Sequence, residues 1–200
     1  PHVDPEVLRA HPKPFLGYSD STSLLVYLDT LGIPSLHGGA VMVHFARVGG
    51  LHPVTEASLR AALFTTGPWE LPRPHDFTDV HGDWATDDLA LAPAMMAADP
   101  WSWHGPADVV RGRLWGGCLE ILSWTLGVGK HLLASYDGRV LLLETSEEMP
   151  GADAVYQFLR VMGERGLLKQ FLGLVMARPK AWSSQQPDSR AAYVSDQRAA

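Results

Sequence analysis

The chain has one cysteine, no basic stripe and no long apolar run, and each shortage excludes a class of protein. A single thiol, Cys118, cannot form an internal disulfide and fits a reducing compartment. The 16 Lys and Arg residues are outnumbered by 22 Asp and Glu residues, so neither a nucleic acid nor an anionic membrane surface is a suitable partner. The richest apolar window, residues 89–98, is short and contains Pro93, so it cannot span a bilayer.

Metal-ligand spacing is also lacking, although the chain has nine histidines. His37, His44 and His52 stand seven and eight residues apart, and no pair forms a His-x-x-x-His or His-Glu-x-x-His pattern. The glycine-rich residues 112–117 lack the Gly-Lys-Ser/Thr of a phosphate loop and are better explained as a strand-to-helix turn. We therefore predict no metal site and no phosphate loop.

The remaining composition, 46% apolar and 19% charged residues, is typical of a globular protein. Strand-like apolar runs alternate with segments of helical period, which indicates an α/β architecture. Strands are predicted at residues 15–18, 35–37, 108–114, 139–145 and 171–177, and helices at residues 21–31, 55–64, 119–126 and 152–165. We expect Thr55 to cap its helix and the last two strands to be buried.

Residues 66–106 contain six prolines and show no sustained hydrophobic period. An irregular stretch of that length is usually a functional loop or a connection between domains. We therefore expect two ordered portions, residues 1–66 and 107–200, joined by a proline-rich connection at residues 67–106.

Residues 13–22, Lys-Pro-Phe-Leu-Gly-Tyr-Ser-Asp-Ser-Thr, predict a short strand that turns sharply into a helix and presents Ser19 at the turn. A nucleophilic serine needs such an exposed position, beside the free N–H groups of a helix start. Gly17 stands two residues before Ser19, but Ser21 replaces glycine two residues after it, so the match to Gly-x-Ser-x-Gly is partial. The alternative is ordinary capping, because every residue at 19–22 is a good N-cap residue.

Glu144 follows the apolar run at residues 140–143, where a carboxylate is costly unless it meets water, a hydrogen bond or a charge. The carboxyl ends of strands in α/β proteins are where functional sites collect. The alternative is that Glu144 marks the point where the strand enters solvent, and the nearby Glu147 and Glu148 agree with that interpretation.

Four segments occur in a fixed order: residues 13–22, Arg-Gly-Arg-Leu-Trp-Gly-Gly at 111–117, Val-Leu-Leu-Leu-Glu-Thr-Ser-Glu-Glu at 140–148, and Gly-Leu-Leu through Arg-Pro-Lys at 166–180. Together they resemble the LD-carboxypeptidase family of serine peptidases, which also holds the microcin C immunity peptidases. The resemblance covers nearly the whole chain. It implies part of an N-terminal α/β nucleophile domain at residues 1–66, followed by part of a C-terminal mixed strand and helix domain at residues 107–200.

The resemblance also implies roles for individual residues. Ser19 corresponds to the nucleophile, Glu144 to the triad acid, and the backbone N–H of Asp20 to one oxyanion donor; the other donor lies in a glycine-rich turn earlier in the family's chain. The signature at Trp115, Gly116 and Gly117 is expected to line the substrate cleft. The family's usual Gly-Gly-Asn-Leu reads Gly-Gly-Cys-Leu here, a change expected to alter a cleft contact.

Two departures concern the rest of the family's machinery. Only eighteen residues precede Ser19, too few for the family's glycine-rich turn, and no histidine follows His131, whereas the family's triad histidine lies after the Arg-Pro-Lys segment. We therefore expect a fragment that lacks both ends and is inactive as given. Of the histidines present, His37 and His131 are the candidates to replace the base, although both lie in other motifs. We also expect loss of the nucleophile domain's first strands to leave an apolar sheet edge exposed, so that the isolated fragment aggregates.

The reaction that the resemblance implies is hydrolysis of the amide joining an L-centre to a terminal D-amino acid of a murein peptide. It implies no cofactor, a cytoplasmic location and a murein peptide or other small peptide-like substrate; a homodimer is left open. A first alternative is a peptidase acting on aminoacyl-nucleotide conjugates, with the adenine stacked on a tryptophan; the candidates are Trp84, Trp101, Trp103 and Trp115. A second alternative is a non-catalytic ligand-binding module on the same scaffold.

Overall fold

The computed structural model describes residues 3–80, 85, 91–106, 108–183 and 188–200. Its helices are α1 (Pro5–Ala10), α2 (Thr22–Thr30), α3 (Pro53–Phe64), α4 (Leu119–Val128), α5 (Ala152–Glu164) and α6 (Arg190–Ala199). Its strands are β1 (Leu16–Gly17), β2 (Leu36–His37), β3 (Asp76–Phe77), β4 (Met96–Ala97), β5 (Arg113–Cys118), β6 (Arg139–Glu144) and β7 (Phe171–Met176). Short 3₁₀ turns occupy Ser19–Ser21 and Leu168–Gln170, and a π-helical turn occupies Val41–Phe45. The α/β architecture predicted from the sequence is confirmed.

The largest sheet is parallel, with the strand order β5-β6-β7. Alternate side chains of the strands pack against α4 and α5 in one apolar core. Its members include Leu141 and Leu143 from β6, Leu122 from α4, and Phe158 and Met162 from α5. Each of these is at most 3% exposed. Burying a side chain of this size contributes roughly 1.5–3 kcal/mol, so the core fixes the central strand and the residue at its carboxyl end.

A second, two-stranded parallel sheet pairs β1 with β2, and α2 is the crossover between the two strands. Val26 of α2 belongs to the main core, and Arg139 at the start of β6 forms an ion pair with Asp29 at 2.9 Å. The β1–α2–β2 unit is therefore packed against β5 and α4 of the main sheet.

The predicted turn at Trp115–Gly117 is wrong, because these residues lie inside β5, which runs from Arg113 to Cys118 rather than from 108 to 114. Both glycines have positive φ angles, 140° and 145°. A Cβ on Gly117 would lie 2.6 Å from Thr22 Oγ1, and one on Gly116 would clash with the Leu142 carbonyl. The glycines therefore allow close packing within the strand, which the sequence alone presents as turn residues.

The start of helix α3, the end of helix α4 and the burial of strand β7 also differ from the predictions. Helix α3 begins at Pro53 after an N-cap at His52, so Thr55 is not the cap; proline is well suited to the first helical position. Helix α4 continues to Val128 and ends at Gly129 in the left-handed conformation. Strand β7 is not buried on both faces, because its apolar residues Leu172, Leu174 and Met176 are between 41% and 50% exposed.

The described part of residues 66–106 contains only the antiparallel pair β3–β4 as regular structure. Just after β3, Asp79 is 2% exposed, pairs with Arg178 and Arg190 at 2.8 Å each, and accepts the Ala181 N–H at 2.9 Å. These contacts tie the segment to the residues that follow β7. No helix in the described part of the chain is both long and apolar enough to cross a membrane.

Candidate active site

Ser19 lies at the turn between β1 and α2, as the sequence predicts. Its φ angle is 54°, in the left-handed region that a serine rarely adopts. The next residues form a 3₁₀ turn, so the Asp20 N–H belongs to the first turn of a helix, where N–H groups lack intrahelical acceptors. A strained serine between a strand and a helix start is the geometry of a nucleophile elbow.

Close packing of small residues produces this turn. A Cβ on Gly17 would lie 2.7 Å from Ser21 Cβ, so glycine is required before the serine and a small residue after it. In the described part of the chain the N-cap residue of α2, Ser21, makes no capping hydrogen bond with its side chain. Thr22 Oγ1 instead accepts the Cys118 N–H at 3.0 Å. These contacts disfavour the alternative in which residues 19–22 serve only as a cap.

Glu144 ends the central strand β6 and faces Ser19, although 125 residues separate the two in the sequence. Its Oε1 atom accepts the Ser19 N–H at 3.4 Å and lies 3.1 Å from His37 Nε2. The side chains of Glu144 and His37 are only 21% and 24% exposed. One carboxylate oxygen thus joins the candidate nucleophile's backbone to an imidazole.

His37 reaches this position through the β1–β2 pairing, in which it stands opposite Gly17. The sequence alone did not single it out as a neighbour of Glu144, since this contact depends on the register of two short strands. His131, the other histidine considered as a substitute base, packs edge-on against Tyr27, with 4.7 Å between the ring centroids. Of these two histidines, His37 is the one in contact with the candidate triad acid.

Tyr18 and His44 complete the polar surroundings of the turn. Their rings meet edge to face with centroids 5.9 Å apart. Burial raises the pKa of Tyr18, and the charges of Glu147 and Glu144 raise it further. Burial lowers the pKa of His44, whose Nδ1 accepts the Ala40 N–H at 3.0 Å. Both shifts favour the neutral form of the side chain.

The structure places the Trp115 side chain in the core, where it is 3% exposed and its ring centroid lies 4.6 Å from that of Tyr136. Trp115, Gly116 and His37 are among the residues that line a cavity of about 330 Å³ between α2 and β5. Gly117 is packed against Thr22. Cys118 is 1% exposed, and burial raises the pKa of its thiol to about 12.

The other tryptophans considered for stacking lie elsewhere. Trp101 and Trp103 are 44% and 82% exposed and contact each other edge to face at 6.2 Å. Trp84 lies outside the described residues. Across those residues, no group of three or more His, Cys, Asp or Glu side chains is placed to hold a metal ion.

Two family models match the chain. The model of the LD-carboxypeptidase N-terminal domain matches residues 1–38, and that of the C-terminal domain matches residues 111–199, together more than half of the chain. The chain belongs to the LD-carboxypeptidase family. The N-terminal match contains Ser19 and the C-terminal match contains Glu144, so each matched region supplies one of the two residues that meet in the structure.

Relatives within the LD-carboxypeptidase family include a putative carboxypeptidase of Vibrio cholerae, 26% identical over 188 residues, covering 92% of this chain and 54% of the relative. A probable murein peptide carboxypeptidase of Bacillus subtilis is 27% identical over 163 residues, covering 81% of this chain and 41% of the relative. The chain thus spans about half the length of these curated relatives.

A solved structure has the same fold. It is the microcin C7 self-immunity protein MccF in complex with aspartyl sulfamoyl adenosine, with a TM-score of 0.79 and 20% sequence identity. The match covers 97% of this chain and 57% of that chain. It therefore includes both the β1–α2–β2 unit and the main sheet.

Proposed function

We propose that this chain carries the nucleophile and the triad acid of a serine-type LD-carboxypeptidase, which hydrolyses the amide between an L-centre and a terminal D-amino acid of a murein peptide. The observation that carries the proposal is Ser19 in a left-handed turn whose N–H meets the Glu144 carboxylate. The murein substrate class is supported by the name of the Bacillus subtilis relative. The resemblance implies that such recycling of wall peptides takes place in the cytoplasm.

In the proposed mechanism, Ser19 Oγ attacks the substrate carbonyl as a base accepts the hydroxyl proton. The Asp20 N–H stabilises the oxyanion; one such donor typically lowers the barrier by about 2.7–4 kcal/mol. Glu144 orients the basic imidazole and stabilises the imidazolium that forms. The imidazolium protonates the amine of the departing D-amino acid as the C–N bond breaks, and water then hydrolyses the acyl-enzyme. In this chain the imidazole that contacts Glu144 is that of His37.

The prediction that the chain as given is inactive depends on whether His37 can act as the base. A serine hydroxyl is a poor nucleophile near neutral pH without a proton acceptor. His37 already uses Nε2 to contact Glu144, which leaves Nδ1 as its remaining ring nitrogen. An acid on one ring nitrogen with the second nitrogen left over is the arrangement of a triad base, so His37→Ala tests whether His37 serves as the base; D-alanine release by this chain that is lost in His37→Ala would contradict the predicted inactivity.

The experiment measures D-alanine release from a murein tetrapeptide by this chain and by the complete gene product, each as wild type, Ser19→Ala, His37→Ala and Ser23→Ala. Ser23 is an exposed serine on α2 and serves as the matched control. We expect release by the complete gene product and its Ser23→Ala variant, and none by Ser19→Ala. Full release by Ser19→Ala would exclude Ser19 as the nucleophile.

A second candidate reaction is hydrolysis of an aminoacyl-nucleotide conjugate, favoured by the likeness to MccF bound to aspartyl sulfamoyl adenosine. The same enzyme preparations are assayed with that compound, following release of aspartate. Faster turnover of the conjugate than of the tetrapeptide would select this reaction. Binding of either compound without any turnover by the complete gene product would select the non-catalytic module.

A further inference from the structure

Glu120, in the first turn of α4, has a carboxylate that accepts three hydrogen bonds beside the candidate active site. Its Oε1 accepts the Ser146 N–H at 3.1 Å and the Ser146 hydroxyl at 2.6 Å. Its Oε2 accepts the Cys118 thiol at 3.3 Å. The proposed mechanism assigns no role to Glu120.

Both partners of Glu120 are connected directly to the candidate catalytic residues. Ser146 follows Glu144 by two residues, and its hydroxyl accepts the Glu148 N–H at 3.2 Å. Cys118 stands opposite Glu144 in the β5–β6 register. The Cys118 N–H donates to Thr22 in α2, just after the Ser19 turn. Glu120 therefore joins the backbone that carries Glu144 to the helix that begins beside Ser19.

The chemistry of these contacts favours a carboxylate at position 120. All three partners act as donors, and an ionised carboxylate only accepts, whereas an amide would direct N–H groups at one of them. Charge-assisted hydrogen bonds of this kind are stronger than neutral ones. A negative charge in the first turn of α4 is also favourable to the helix dipole.

We propose that Glu120 is a positioning residue, which fixes the Glu144 carboxylate against Ser19 by holding the turn at residues 144–148. It acts through Ser146 and Cys118 and does not touch the reacting atoms. Only the kinetic part of its test rests on the proposed function.

The test compares Glu120→Ala, Glu120→Gln and Ser146→Ala with wild type, using Glu147→Gln as the control. Glu147 is an exposed carboxylate in the same turn. Cys118 is the single thiol of the chain, so its S–H stretching band in the infrared reports the bond to Glu120 without interference. Hydrogen exchange of the amides at Ser19 and at residues 144–148 reports the turn itself, and steady-state kinetics of the complete gene product report the consequence.

We expect Glu120→Ala to move the S–H band to higher wavenumber and to speed exchange of these amides about tenfold or more. Turnover should fall about 10–100-fold in kcat with little change in KM, as for other supporting partners of an active site. Glu120→Gln and Ser146→Ala, which keep similar volume, should show the same changes to a smaller extent, and Glu147→Gln should show none.

Two results would overturn the proposal. An unchanged S–H band in Glu120→Ala would show that the Cys118 thiol does not donate a hydrogen bond to Glu120, and the proposal rests on that hydrogen bond. Unchanged exchange at Ser19 and at residues 144–148, with the band shifted, would show that Glu120 does not hold the turn. If wild type releases no D-alanine, the proposed function fails, and the band and the exchange rates still decide the role of Glu120.

Discussion

At the scale of single residues, the backbone of Ser19 is the informative feature. The left-handed conformation costs a non-glycine residue roughly 1–2 kcal/mol, and such strain persists only where the surroundings impose it. Gly17, Ser21 and the Glu144 contact impose it here.

The strain gives a prediction for stability. Ser19→Gly should be more stable than Ser19→Ala by about 1 kcal/mol, because glycine adopts this conformation freely and alanine does not. Urea unfolding of both variants provides the measurement. Equal unfolding free energies would show that the left-handed turn is not strained.

Cys118 gives a second prediction at the same scale. With a pKa of about 12, only about one thiol in ten thousand is ionised at pH 8, so the folded chain should resist alkylation that succeeds in urea. Because folding raises the pKa, the associated stability is full below about pH 8.5 and declines as the pH rises towards 12. Alkylation of the folded chain as rapid as in urea would contradict the buried thiol.

At the scale of elements, the sequence predicted the strand ends and turns that depend only on the residues next to them in the chain. The apolar run before Glu144 predicted where β6 ends, and the strand-to-helix turn at Ser19 was also predicted. The position of Trp115 in β5 and the contact of His37 with Glu144 depend on packing between distant segments, so they could not be derived from the chain alone. The half-exposed face of β7 was missed because an apolar run was taken to mean burial.

The segment after β3 supplies the prediction at this scale. Asp79→Asn should destabilise the chain by about 1.5–3 kcal/mol, because the charged hydrogen bonds from Arg178 and Arg190 to a buried carboxylate are lost. Burial alone would raise the pKa of Asp79, but hydrogen bonds from Arg178 and the Ala181 N–H, with the charges of both arginines, lower it.

The lowered pKa sets the pH window of that stability. The contribution is present above the ordinary aspartate pKa, near 4, and is lost as the pH falls through the lowered value. Urea unfolding should show the full difference between wild type and Asp79→Asn at pH 7, and a difference that shrinks as the pH is lowered below about 4. Asp99→Asn, at an exposed pair with Arg198, is the control and should change stability by less than about 1 kcal/mol. A small effect of Asp79→Asn at pH 7 would mean that the pair does not anchor the segment.

At the scale of the whole molecule, the site exists only because two regions meet. Ser19 and His37 come from the β1–α2–β2 unit and Glu144 from the main sheet. The edge strand β7 leaves four apolar side chains open to solvent, those of Leu172, Leu174, Val175 and Met176. Edge strands of this kind promote association between chains.

The exposed apolar side chains of β7 predict that the chain aggregates in solution. Leu174→Lys, at a side chain that is 50% exposed, should reduce aggregation measured by light scattering and leave the unfolding free energy nearly unchanged. Leu141→Lys, at a buried position of β6, is the contrasting variant and should unfold the chain. Undiminished aggregation of folded Leu174→Lys would place the associating surface elsewhere.

The pairing of Glu144 with Ser19 is tested most directly by kcat/KM for D-alanine release from a murein tetrapeptide, measured on the complete gene product as wild type, Glu144→Gln and Glu147→Gln. Loss of the triad acid should lower kcat/KM by about 10³–10⁴-fold with the fold retained, because the imidazole loses both its orientation and its counter-charge. The Glu147→Gln control should stay within about threefold of wild type. A Glu144→Gln enzyme as active as that control would contradict the assignment of Glu144 and the site built on it.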